Sequence, residues 1–328
     1  MINFTGLKEV LLNQKNLILT THINPDADAI GSLMAMYHIL KQNGKTIRPI
    51  IHNSTPSNMD FLDPHKVIEK YESTKHDDYI KKADAIVILD LNHLSRVKSM
   101  EAVLRKTPAV KICIDHHQEP EQVFDHLFSD TDACATSEIL LDFIRHTQIA
   151  ELDKNIAQNL YAAIMTDTGS FRFERTTPKV HRDIAALIEN GADPGFIYRM
   201  IFDRTSIGRM ILLGETLTSM KLFHNNKLCY QVIYRAGFEK SGALEEDIDG
   251  FVNHSLAIDG VKIGILFFEL KDGVKISFRS RDTVPVNKLA AEFGGGGHTN
   301  AAGSRIYDKE LQTVIQEVLA AAGKYLDT

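Results

Sequence analysis

At 328 residues the chain has room for about two domains, and its 44% hydrophobic and 24% charged residues are those of an ordinary globular protein. A net charge of −6 argues against a protein that coats long nucleic acid electrostatically, but leaves room for a small phosphate substrate held by a few local cations. Three scattered cysteines, Cys113, Cys134 and Cys229, form no C-x-x-C pair and fit buried thiols in a reducing cytoplasm; neither a secretory leader nor a membrane-spanning stretch is expected.

Leu17–Thr21 reads as a buried strand that opens into a loop carrying His22, Asp26 and Asp28, with Pro25 and Gly31 as its punctuation. Ile30, Leu33, Met34, Tyr37 and Leu40 then share one face of a helix over Ile30–Asn43, stopped by Gly44. One imidazole and two carboxylates within seven residues form a ligand set for a hard or borderline divalent cation. Taken alone, the same residues also read as a surface cluster capping a helix.

Strands are predicted next at Thr46–Ile51, placed near an edge by Pro49, and at Ala85–Asp90 and Val110–Asp115. Helices are predicted over Leu94–Lys106, Thr136–Arg145, Ile156–Thr166 and Pro178–Asn190. This βαβαβ order implies a parallel sheet with helices on both faces. Gly191–Ser219 shows two helical stretches, Pro194–Phe202 and Ser206–Ser219, with no strand between them, and reads as a connector. The remainder is a smaller α+β domain. It has a hairpin around Asn225-Asn226 and another around Asp272-Gly273, between Val261–Leu270 and Val274–Arg279. A helix at Val286–Phe293, the run Gly294–Gly297 and a final helix near Lys309–Tyr325 complete the chain. The domains expected are 1–192 for metal binding and catalysis, 193–218 as linker, and 219–328 for substrate.

Two further strands end in metal-type residues: AIVIL runs into Asp90, and ICI into Asp115-His116-His117. A parallel sheet sets these beside the His22 loop along one carboxyl edge. Asp167 follows a helix in TDTGSFRF and adds a fourth acid position. The glycine run reads either as a flexible helix stop or as exposed backbone N–H groups that let an anion or base approach closely, with His298 as a neighbouring donor. Strand alternation puts Arg279 and Arg281 on one face, where a guanidinium can grip a terminal phosphate, and Arg172 is a further cation beside the site.

HINPDADAIGS, Asp90, Asp115-His116-His117 and Asp167 together resemble the four motifs of the DHH phosphoesterase superfamily, and FGGGGH at Phe293–His298 resembles the substrate motif of its DHHA1 domain. The resemblance spans nearly the whole chain and is nearest to the nanoRNase and pAp phosphatase branch. It implies two divalent ions, Mn²⁺ before Mg²⁺ or Co²⁺, with His22, Asp26 and Asp90 on one and Asp28, Asp90, His116 and Asp167 on the other. It further implies that His117 faces the substrate and that Asp115 orients the histidines. Two such ions ~3.5–4 Å apart lower the pKa of a water toward neutrality. The implied substrates are very short oligoribonucleotides and 3′-phosphoadenosine 5′-phosphate (pAp). Linear or cyclic dinucleotides are the alternative, since the scissile group is the same. No long duplex nucleic acid and no membrane is expected as a partner, and a homodimer is left open.

Overall fold

A computed structural model describes residues 2–248 and 250–326, the side chains of Glu246 and His298 excepted. The chain divides into two compact units, Met1–Arg204 and Thr205–Thr328. The division falls between the two stretches of the expected connector, so that Pro194–Phe202 belongs to the first unit and Ile207–Thr218 to the second.

The first unit begins with α1 (Phe4–Leu12) and β1 (Asn16–Thr20), followed by α2 (Ala27–Gln42), β2 (Thr46–Ile51), the two-residue β3 (Glu69–Lys70) and α3 (Ser73–Lys82). Next come β4 (Ala85–Leu89), α4 (Glu101–Lys106), β5 (Val110–Asp115) and β6 (His126–Ser129). Four helices close it: α5 (Thr136–Thr147), α6 (Lys154–Asp167), α7 (Pro178–Glu189) and α8 (Pro194–Phe202). The six strands form one parallel sheet in the order β3-β2-β1-β4-β5-β6. Its central strand β4 is buried at every residue, as expected of a sheet covered on both faces. One face packs Leu17, Leu19, Val87, Ile112 and Ile114 against α2, α5 and α6; the other packs Ile18, Ile86 and Ile88 against Leu94, Val97 and Leu104. Only the short β3 lies outside β2, which puts Pro49 one strand from the edge. The single helix expected over Leu94–Lys106 is a 3₁₀ stretch, Leu94–Met100, followed by α4, with a break at Lys98 where φ is 49°.

The decisive feature for function is the strand order. β1 leads to β2 on one side, whereas β4 returns on the other side of β1. Chain connections therefore diverge at the carboxyl ends of β1 and β4, and such a divergence opens a crevice in an open α/β sheet.

The second unit starts with α9 (Ile207–Thr218), β7 (Lys221–Phe223), β8 (Leu228–Ile233), α10 (Arg235–Ser241) and α11 (Asn253–Leu256). It continues with β9 (Ile263–Glu269), β10 (Gly273–Ser280), α12 (Val286–Glu292), β11 (Gly296–His298), β12 (Ala301–Tyr307) and α13 (Leu311–Ala322). Its sheet runs β11-β12-β10-β9-β8-β7 and is mixed, since β8 and β9 are parallel and every other pair is antiparallel. Both expected hairpins form, β7–β8 and β9–β10. Alternation along β10 turns Val274, Ile276 and Phe278 into a core with α12 and α13.

Candidate metal centre

Three strand ends deliver the donors. The chain leaves β1 at Thr20 and reaches His22, whose Nδ1 lies 2.8 Å from the carbonyl of Ile23. A carbonyl only accepts, so Nδ1 carries the proton and Nε2 keeps a lone pair for the site. Asp26 is the N-cap of α2 and accepts from the Ala29 N–H at 3.0 Å. Asp28, two residues further and fully buried, accepts from the backbone N–H of Thr136 (2.7 Å) and Ser137 (3.1 Å) and from the Ser32 hydroxyl (3.1 Å). The first turn of α5 is thus aimed at its carboxylate, as the positive end of a helix favours.

Asp90 follows β4 in the left-handed region at φ 58° and is 2% exposed. Its two oxygens face different imidazoles: Oδ2 is 3.3 Å from His22 Nε2, and Oδ1 is 3.5 Å from His116 Nε2. The Thr136 hydroxyl donates to Oδ1 at 3.1 Å. His116 repeats the logic of His22, with Nδ1 on the Ala133 carbonyl at 3.3 Å and Nε2 turned inward, 3.5 Å from Asp167 Oδ2. Asp167 arrives as the last residue of α6. His117 points Nδ1 to Asp115 Oδ1 at 2.7 Å, and the Arg96 guanidinium lies 3.3 Å from its Nε2.

Ligand atoms from three trios lie within 4.8 Å of one another: His22, Asp26 and Asp90; Asp28, His116 and Asp167; and Asp90, His116 and His117. All six residues expected to bind metal are therefore brought together; His117 joins one of the trios, and Asp115 stands behind it. The electrostatics call for a cation. Burial, reinforced by Asp28, Asp26 and Asp115, drives the Asp90 carboxyl far above the usual carboxylate range. Burial, reinforced by Asp28 and Asp90, does the same to Asp167. Burial also lowers His22. His22 and Asp90 thus stand at ion-pair distance while both are pushed toward their neutral forms, because desolvation outweighs their attraction. Among the described residues no lysine or arginine pairs with Asp28, Asp90 or Asp167. Asp115 Oδ2 is buried without a hydrogen-bond partner. Crowded carboxylates with inward imidazole lone pairs and no protein cation fit divalent metal ions.

Arg172 is exposed and donates Nε–H to the Gly169 carbonyl at 2.6 Å; it lines a cavity of about 530 Å³ together with His116 and Asp167. The remaining expected residues lie in the second unit. Arg279 is half-buried on the face of β10 away from the core and donates to the Phe278 carbonyl at 3.0 Å. β10 ends at Ser280, so the alternation does not carry through to Arg281, whose guanidinium donates to the Leu256 carbonyl. Gly294 stops α12 at φ 70°. A Cβ on Gly295 would lie 2.2 Å from the Gly303 carbonyl oxygen, and one on Gly297 2.4 Å from that of Ala301, whereas Gly296 faces open space. The run therefore serves as a helix stop and as a close-packed strand, with an open backbone at Gly296. The backbone of His298 pairs with Ala301, and its side chain lies outside the described residues.

Arg96, Thr136 and Arg175 are neighbours of the centre that sequence reasoning missed. Arg96 also receives the Ile23 N–H on its carbonyl at 2.8 Å, which ties the His22 loop down. Arg175 donates to the Ala133 carbonyl at 3.2 Å and eases the upward shift of Asp167. Each is 20 or more residues from its partner in sequence, and no local spacing signals the contact.

A model of the DHH family N-terminal domain matches residues 16–164, and one of the DHHA1 domain matches residues 225–327. The bifunctional oligoribonuclease and PAP phosphatase NrnA of Thermus thermophilus is 31% identical over 317 residues, covering 94% of this chain and 90% of the relative. The crystal structure of an exopolyphosphatase-related protein from Bacteroides fragilis superposes with a TM-score of 0.93 at 30% identity, covering 99% of this chain and 97% of that one. RecJ from Thermus thermophilus, solved in complex with Mn²⁺, shares the fold at a TM-score of 0.56 and 13% identity, over 98% of this chain and 54% of RecJ. Both domain types in sequence order, and a relative alike along almost its entire length, establish that this chain belongs to the DHH–DHHA1 family of metal-dependent phosphoesterases.

Proposed function

We propose that the protein is a Mn²⁺-dependent two-metal phosphoesterase that hydrolyses very short oligoribonucleotides to mononucleotides and pAp to AMP. The observation that carries this reading is the cluster in which the two oxygens of the buried Asp90 face separate donor sets without a protein cation. In it, His22, Asp26 and Asp90 hold one ion, and Asp28, Asp90, His116 and Asp167 the other. Bound there, the ions supply a nucleophile at neutral pH and neutralise charge on the phosphoryl oxygens. A mixed oxygen and imidazole set suits Mn²⁺ well, with Mg²⁺ or Co²⁺ as substitutes.

His117 is fixed by Asp115 through Nδ1, so its Nε2 is the atom assigned to a phosphoryl oxygen or to the leaving group's proton. Arg279, the backbone of Gly294–Gly297 and His298 are assigned to a terminal phosphate, with Arg172 and Arg281 as further cations. Residues 1–192 form the catalytic part, 193–218 the linker and 219–328 the substrate-binding part; among the described residues, every cluster of three or more donors placed to share a metal ion lies in the first unit, which supports this division. The name of the Thermus relative supports the substrate class. Three free, buried thiols suit a reducing cytoplasm, and among the described residues no helix is long and apolar enough to cross a membrane.

The test uses the full chain stripped by a chelator and returned to Mn²⁺. Stripped protein is expected to be inactive. With Mn²⁺, di- to about pentanucleotides should yield mononucleotides faster than a substrate of about 24 nucleotides, with the shallow salt dependence of one or two phosphate contacts. Hydrolysis undiminished by the chelator refutes the metal reading, and faster cleavage of the long substrate refutes the short-substrate reading.

A further inference from the structure

We propose that Phe173 is a nucleobase-stacking platform beside the metal centre; the inference rests on the nucleotide reading above and names the part of the substrate that this wall of the site receives. The cavity that reaches His116 and Asp167 is also lined by Phe173 and by the cations Arg172 and Arg175. Its volume of about 530 Å³ is that of a small-molecule site. One end offers the groups that would engage a phosphoryl centre, and the same wall offers a flat apolar ring and two guanidiniums. A phosphate joined to a planar, polarisable group answers all of these, and a nucleotide is that ligand.

The ring is exposed by construction. After α6 the chain turns through three successive positive φ values, 58° at Gly169, 58° at Ser170 and 65° at Phe171. Phe171 is carried inward, edge-on to Tyr161 with centroids 6.2 Å apart. Phe173, two residues on, is left 57% exposed. It is held in place all the same. Its N–H donates to the Thr168 carbonyl at 3.0 Å, and its own carbonyl accepts from Thr176 at 2.9 Å. A Cβ on Gly169 would lie 2.4–2.7 Å from the far end of the ring, so the ring lies directly on the Gly169 backbone. A rigid, solvent-facing aromatic carries little ordering cost when a base stacks on it, and stacking is sequence-tolerant because every base has a π-face. Loss of such a stack is worth about 1–3 kcal/mol, or roughly 5- to 150-fold.

The chain contains no tryptophan, so Phe173→Trp in the full-length, Mn²⁺-loaded protein places a unique fluorophore at the platform. AMP is expected to quench its emission, and ribose 5-phosphate, which keeps the phosphate and lacks the base, is expected not to. In parallel, kcat/KM is measured for a diadenosine dinucleotide and its abasic counterpart. Phe173→Ala should lower the ratio of the two by about 5- to 150-fold, chiefly through KM, and Phe173→Trp should restore it. Equal quenching by the two phosphates overturns the platform, as does an equal fall on both dinucleotides. Absence of wild-type dinucleotide turnover together with AMP-specific quenching instead overturns the substrate reading and upholds the subsite.

Discussion

Gly31 offers the sharpest test of how packing sets the metal geometry. It lies inside α2, where it faces α6 rather than punctuating the loop. A Cβ there would stand 2.6 Å from the Asn159 carbonyl oxygen and 3.0 Å from Ala163 Cβ. Both belong to α6, whose backbone cannot swing aside as a side-chain tip can. Ordinary contact begins near 3.4 Å, so Gly31→Ala must open the α2–α6 contact by about 0.8 Å. Overpacking of this kind costs about 1–3 kcal/mol, and alanine in a helix interior returns about 1 kcal/mol. The net loss is thus about 0–2 kcal/mol, or up to ~8 °C in Tm for a unit of this size. Function is hit harder. α2 carries Asp28 in its first turn, and α6 carries Asp167 at its end. A displacement near 1 Å between groups that act on one reacting centre costs on the order of 100-fold. The expected outcome is a 10- to 100-fold loss of kcat/KM and a weaker Mn²⁺ midpoint, with a metal-free melt only slightly lowered. Calorimetry without metal and a Mn²⁺ titration of activity read the two effects separately. Wild-type turnover and metal affinity in Gly31→Ala would refute the claim that this helix contact sets the donor spacing.

Asp90→Asn keeps a residue that tolerates φ 58° and retains an acceptor for Thr136, yet removes a buried carboxyl whose ionisation burial, Asp28, Asp26 and Asp115 oppose. Metal-free Tm should hold or rise, and both the Mn²⁺-induced rise and the turnover should vanish; a retained Mn²⁺ effect in thermal melts contradicts the two-ion assignment. Thr136→Val deletes the hydroxyl on Asp90 and is expected to weaken Mn²⁺ binding by about 10-fold, with folding intact, as read by calorimetric titration. Glu69 lies away from the centre, held down at about 2 by Arg48 first, then by Lys75 and His76. Because its folded pKa is depressed, its contribution is complete above about 4.5 and is lost as pH falls from there through 2. Glu69→Gln should therefore cost about 1–2 kcal/mol at pH 7 and flatten the acid limb of urea-melt stability between those values; an unchanged limb rules out the linkage.

The donors were legible in the sequence because chemistry and position coincide there. Short apolar runs rich in β-branched residues, such as AIVIL and ICI, read as buried strands, and a histidine or aspartate placed at their ends needs no tertiary information to be found. Parallel strands then bring those ends to one edge, and the observed order β1-β4-β5 makes them neighbours. The elements that escaped are those with little apolar signal. β6 reads HLFS and has no fully buried residue, and α1 buries only Leu7 and Leu11. The break at Lys98 was hidden because Leu94–Lys106 has helical periodicity on both sides of it. Arg96, Thr136 and Arg175 were hidden for another reason: their residue types are ordinary, and their roles arise from partners far along the chain.

Glycine marks the limit of such reading most clearly. A glycine in sequence records that a side chain is absent, but not which neighbour needs the space. Gly31 looked like loop punctuation, and its neighbour is the backbone of α6. The run Gly294–Gly297 admitted a flexible stop or an open anion-binding backbone, and the structure divides it among three duties. Gly294 takes the left-handed turn with open space beside it, Gly295 and Gly297 let β11 lie against β12, and Gly296 has neither a left-handed φ nor a neighbour within 4 Å. Gly296 is thus the one glycine of the run that neither a left-handed φ nor a facing atom requires, whereas the other three are required by the fold whether or not a ligand is bound. Glycine motifs thus combine a site with its scaffold, and only the coordinates of the facing strand separate the two.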